Sequence, residues 1–181
     1  VIRIVTLDEL DPGDLAFLTR TLYQAFAVGT EHAGDRPMPP GLETRDGRVD
    51  AAKLLAEAPP VRAVGDDKAL YLTAAPLALR PGPLGEPPCW GFAEYGGSRA
   101  VVSVARLPAR GVSESSIESY RRRLAREAVH VLGHLWDLHH CYDARCAMHP
   151  SWSPGLPASP DSDLCTFCRE KSERKIRLAK T

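Results

Sequence analysis

Apolar and polar positions fall into short blocks whose period changes along the chain. Residues 2–6 (Ile-Arg-Ile-Val-Thr) alternate and predict a strand. Asp11-Pro12 then offers an N-cap and a first-turn proline, and Leu15, Leu18, Leu22 and Phe26 follow at helical spacing. A helix over about 12–27 is predicted. From Gly29 to Gly47 prolines and glycines interrupt any period, so this segment reads as a long loop. A short helix is expected from about Asp50 to Ala58, stopping before Pro59-Pro60. Val61–Val64 and Ala69–Thr73 read as strands around a Gly65-Asp66-Asp67 turn. Residues 80–91 are too dense in proline and glycine for regular structure, whereas Arg99–Leu107 carries the strongest strand pattern. A long helix follows. Ser115 and Glu118 form a capping box, and Ile117, Tyr120, Leu124, Ala128, Val131 and Leu135 make an apolar stripe. Four prolines within 150–160 predict irregular structure, and the polar, basic stretch Arg169–Lys180 predicts a terminal helix. Strands before one central helix, with an irregular cysteine-rich end, predict an α+β or mixed α/β domain.

Composition adds exclusions. The chain has 181 residues, enough for one domain with a core, and it is 44% hydrophobic and 25% charged. Its formal net charge of +0 gives no global field toward nucleic acid or an anionic membrane. No apolar run approaches a membrane span, and the expected compartment is the cytoplasm. Four of the five cysteines (Cys141, Cys146, Cys165 and Cys168) lie in two close pairs near the end, while Cys89 stands apart and reads as a small buried apolar residue.

The chemistry concentrates in His130–Cys141. Residues four apart on a helix lie one turn above the other, so His130 and His134 can reach one ion. Three neutral imidazoles with one open position make a catalytic-type zinc site. The third must come from beyond the helix end, and spacing alone leaves His139 and His140 both open. His32 and His149 are isolated and read as structural. The four clustered cysteines match a closed structural zinc site; two disulfides are the rival reading. Because Cys141 follows His140, fixing the cysteines also aims that histidine, so Cys165→Ser is expected to weaken metal at the histidine site as well.

The pattern His130-x-x-x-His134-x-x-x-x-x-His140-Cys141, then Cys146, Met148 and the Cys165/Cys168 pair, resembles the archaemetzincins. These are metzincin-type zinc metallopeptidases with the pattern HExxHxxGxxHC-x4-C-x-M followed by CxxC. The likeness is close over 130–168 and looser upstream, at Trp90–Ala93 and Val101–Leu107. It implies a metzincin-like α/β (α+β) fold: an N-terminal lobe over 1–140 with a twisted mixed sheet, an active-site helix and a backing helix. A small irregular C-terminal lobe over 141–181 would follow, with peptide or protein substrate in the cleft between them. It also implies two zinc ions per chain, one on His130, His134 and His140 and one on Cys141, Cys146, Cys165 and Cys168. Met148 would be the methionine of the turn beneath the first. Nucleic acid and membranes are not expected partners.

Two departures matter. Asp137 stands where the family has the glycine of the turn; Asp adopts positive φ more readily than most residues, so the turn is expected to survive. Val131 stands where the family has the glutamate that takes and returns the proton. General acid–base catalysis contributes about 10²–10⁴ in rate, and valine contributes none of it. Peptidase activity is therefore expected to be weak or absent, and a non-catalytic, zinc-dependent peptide binder is the alternative. Glu127 is the candidate substitute base, although it lies one turn away and a surface pair with Arg123 accounts for it more simply.

Overall fold

A computed structural model describes residues 1–61, 65–79, 88–150 and 163–179. In chain order the elements are β1 (Ile2–Thr6), α1 (Pro12–Phe26), β2 (Thr30–Asp35), β3 (Val49–Asp50), α2 (Ala51–Glu57), β4 (Lys68–Thr73) and β5 (Leu77–Ala78). They continue with β6 (Pro88–Cys89), β7 (Gly91–Ala93), β8 (Arg99–Ser103), α3 (Glu114–Leu135) and α4 (Thr166–Leu178). The main sheet has the order β2-β1-β4-β8-β7, with β7 alone antiparallel to its neighbour. A small second sheet pairs β3, β5 and β6. This is an α/β fold with a mixed sheet, as expected.

Strand periodicity sorts the core into two layers. Ile2, Ile4, Leu70, Leu72, Ala100 and Val102 point to one face, where α1 and α3 cover them. Val5, Ala69, Tyr71 and Val101 point to the other, where Leu54 and Leu55 of α2 and Leu77 of β5 cover them. A sheet covered on both faces needs apolar residues at consecutive positions, which is why Val101 and Val102 are adjacent. The first cluster also takes in Cys146, Ala147, Met148, Leu164, Cys168 and Ile176, so the C-terminal segment shares the core beneath α3. No described helix is long and apolar enough to cross a membrane.

Several expectations need correction. The segment 29–47 contains the strand β2, paired parallel to β1 along the sheet edge. Its residues are mostly exposed or half-exposed, so it carries no apolar period to read, and backbone pairing alone defines it. The long helix starts at Glu114 with Ser113 as N-cap, its hydroxyl accepting from the Ser116 N–H at 3.2 Å. Ser115 is thus already helical, and Glu118 pairs with Arg122 at 2.5 Å rather than closing a capping box. β8 ends at Ser103, short of 107, where the Ser103 hydroxyl caps the turn by accepting from Ala105 N–H. β6 and the start of β7 fall within 80–91, and α4 begins at Thr166, ahead of 169. The expected strand over 61–64 lies mostly outside the described residues, as do 80–87, 151–160 and the end of the basic tail.

Candidate metal centre

The last two turns of α3 deliver His130 and His134 from one face, and their Nε2 atoms lie 3.1 Å apart. Each Nδ1 faces a carbonyl: His130 at 2.9 Å from Ala147 O, His134 at 2.8 Å from Leu138 O. A carbonyl can only accept, so both Nδ1 atoms carry the proton and both Nε2 lone pairs converge. Two lone pairs so close repel unless a cation lies between them. Tetrahedral zinc with Zn–N of about 2.0–2.1 Å spaces its nitrogens by about 3.4 Å. His140 closes the set: one nitrogen from each of the three rings lies within 4.8 Å of the others. The donor set fits zinc. Among the described residues no carboxylate joins this group.

Burial, then the neighbouring His134, pushes the His130 imidazole down to about 3. Burial lowers His134 and His140 as well. All three rings are therefore neutral at physiological pH, the form that binds metal.

His139 is not part of the set. It is exposed and faces Tyr95, whose hydroxyl lies 2.8 Å from His139 Nε2 and also donates to Asp137 O at 3.0 Å. The chain turns over between the two adjacent histidines, so only one reaches the α3 pair.

The four cysteines converge beside this site. Their sulfurs lie within 4.8 Å of one another, and Cys141 and Cys165 Sγ are 3.8 Å apart. That separation is far beyond a disulfide bond, and all of these thiols are free. It matches the edge of a tetrahedron with Zn–S of about 2.3 Å. Burial pushes the Cys146 thiol up to about 11 and raises Cys168 further. Burial also works to raise Cys165, but the Cys168 N–H and neighbouring thiols outweigh it and lower that group. Buried neutral thiols at this spacing need a cation to become thiolates.

No family model matches the chain. A curated archaemetzincin from Archaeoglobus fulgidus is 42% identical over 88 residues, 49% of each chain. The match thus spans about half the length of the curated relatives. The crystal structure of the Archaeoglobus fulgidus archaemetzincin superposes with a TM-score of 0.73 at 26% identity, covering 94% of this chain and 98% of that one. The chain is similar to the archaemetzincins in part of its sequence and shares their fold. A protein from Methanocorpusculum labreanum described as a zinc-dependent peptidase shares the fold, with a TM-score of 0.75 at 19% identity over 95% of this chain and all of that one.

Within this fold, Val131 is 3% exposed and belongs to the apolar core. It packs on β7: a Cβ placed on Gly91 would sit 2.8 Å from Val131 Cγ1 and 2.7 Å from Val101 O. Only glycine permits that approach, a constraint invisible in sequence. Glu127 does pair with Arg123, at 3.1 Å, but it is 2% exposed, so the pair is buried and not on the surface. Asp137 takes φ of 58°, as the turn demands. Its carboxylate does not touch an imidazole; it pairs with Lys175 at 2.6 Å.

Carbonyl acceptors of the 146–148 loop buttress the site. Buried Arg126 reaches from α3 to Cys146 O at 3.0 Å, and Met148 O accepts from Cys141 N–H at 2.9 Å. Met148 is fully buried against Gly133, whose missing side chain leaves it room. Arg126, Gly133, Tyr95 and Lys175 were not legible as site residues: each acts through backbone or through a partner distant in sequence. Cys89 is buried in the second core cluster, as expected. His32 meets Thr6 and Asp35 at the sheet edge, away from any metal-binding group.

Proposed function

We propose that this chain is a zinc protein of archaemetzincin type that binds peptide or protein segments and hydrolyses them slowly or not at all. One zinc ion is held by His130, His134 and His140 and a second by Cys141, Cys146, Cys165 and Cys168. Met148 forms the floor of the first site. The ligand lies in the cleft between the 1–140 and 141–181 lobes, in a cytoplasmic setting that keeps the thiols reduced. Zinc at the imidazoles supplies Lewis acidity toward a peptide carbonyl. Ala147 and Leu138 carbonyls hold two of the rings in the tautomer that presents Nε2.

The observation that carries the impairment is Val131, a buried aliphatic residue packed on Gly91 directly after the first histidine. Glu127 offers no replacement, since Arg123 holds its carboxylate in the interior. The same packing favours the alternative, a non-catalytic peptide binder.

Val131→Glu is the test, with Val131→Gln as the volume control and bound zinc quantified for each. Zinc-loaded Val131→Glu is expected to cleave a generic peptide library about 10²–10⁴-fold faster than the parent. If it holds zinc at the imidazoles and stays as inert as the glutamine control, more than the base is missing. Brisk turnover by the parent itself would reject the impairment. Peptide binding by the parent without turnover selects the non-catalytic form.

A further inference from the structure

The turn that ends α3 is a Schellman motif. Leu138 N–H donates to Gly133 O at 3.0 Å and Asp137 N–H to His134 O at 3.1 Å. The residue at the left-handed position is Asp137, with φ of 58°. This motif favours glycine there, because any side chain meets a steric cost. The turn lies between His134 and His140, and its Leu138 carbonyl holds the His134 ring. The metal-facing direction of two imidazoles therefore depends on an unfavourable backbone conformation.

Three contacts hold that conformation from outside. Gly96 N–H donates to His134 O at 2.9 Å, and the Tyr95 hydroxyl donates to Asp137 O at 3.0 Å, both from the β7–β8 turn. The third is the ion pair of Lys175 Nζ with Asp137 Oδ2 at 2.6 Å. Lys175 is seven residues beyond Cys168 on α4. That helix starts at the cysteine cluster, buries Ser172 and Ile176, and is tied to α1 by Arg169 donating to Gln24 O at 3.0 Å.

We propose that Lys175 is a positioning residue for the three-histidine site. It holds the Asp137 side chain, stabilises the left-handed turn, and so makes the imidazole geometry depend on the helix that the cysteine cluster anchors. The inference rests on zinc binding at His130, His134 and His140. A glycine at 137 would not need the strap; aspartate does.

The test is a double-mutant cycle on the 181-residue chain with zinc retained at the cysteines. Parent, Lys175→Met, Asp137→Gly and the double variant are titrated with cobalt(II), whose visible absorption separates nitrogen from sulfur ligation. Thermal midpoints are measured alongside. Outer contacts of metal ligands commonly change affinity about 10–100-fold, and this pair is half-exposed and one step further out. Lys175→Met is therefore expected to weaken cobalt at the imidazoles by about threefold to tenfold with little change in midpoint. Lys175→Arg restores it, and in the Asp137→Gly background the lysine substitution has no further effect. Unchanged affinity in Lys175→Met, or an equal loss in both backgrounds, overturns the proposal. A parent with no cobalt signal of nitrogen type overturns the metal reading itself, and this inference with it.

Discussion

At the scale of single residues, the site separates into donors and the groups that aim them. His130 and His134 owe their tautomers to two backbone carbonyls, and those carbonyls are placed by residues with no titrating role. Gly133 is such a residue. A Cβ there would meet the Met148 thioether and lie 3.2 Å from Leu138 Cδ1. Gly133→Ala is expected to cost about 1–3 kcal/mol by overpacking, read from urea midpoints, and to loosen metal at the imidazoles. Equal stability would mean that Met148 moves freely. Glu127 gives a second check. Removing one partner of a buried ion pair costs about 3–5 kcal/mol, so Glu127→Ala is expected to lower stability strongly. Peptide binding per folded, zinc-loaded molecule stays at the parent level; a selective loss of binding would point to a direct role.

At the scale of elements, α3 is both core and site. Its apolar side covers the sheet, and its last two turns carry the buried His130 and the half-buried His134, whose protonation is opposed by that burial. The metal-free protein inherits a pH dependence from this. The folded His130 is held down to about 3 against an ordinary 6.5, so the unfolded chain binds the extra proton between those values. Stability is complete above about pH 6.5 and declines as pH falls toward 3. The buried Cys146 thiol acts at the other end. Held up to about 11 against an ordinary 9.0, it keeps its proton when the unfolded chain has lost it, so stability declines again above pH 9. Denaturation in the presence of chelator is expected to show a maximum between the two limbs. A flat profile from pH 4 to 6.5 would show that the rings are not buried without metal.

At the scale of the whole molecule, two groups of donors meet under one helix. The cysteine loop hydrogen-bonds His130 through Ala147, carries His140 next to Cys141, and leads to α4 and Lys175. Structural zinc commonly contributes most of the order of such a segment. Elemental analysis is expected to find two zinc ions per chain. Cys165→Ser is expected to loosen both, with the imidazole ion leaving faster to chelator than in the parent. An unchanged release rate would show that the two sites are independent.

What could be read from sequence was local or periodic. The histidine pair is legible because one helix places residues four apart on the same side. The cysteine set is legible because short spacings leave thiols little freedom to diverge. The strands β1, β4 and β8 are legible because short runs rich in apolar residues mark them. What the tertiary structure decided depended on partners far along the chain. It turned His139 toward Tyr95 and brought His140 to the other two imidazoles. It made β2 a strand through pairing with β1, although its side chains carry no apolar signal. It buried Glu127, set Val131 against Gly91, and gave Asp137 a lysine from another helix. These outcomes follow from packing and backbone geometry across long sequence separations, and no local pattern of residues encodes them.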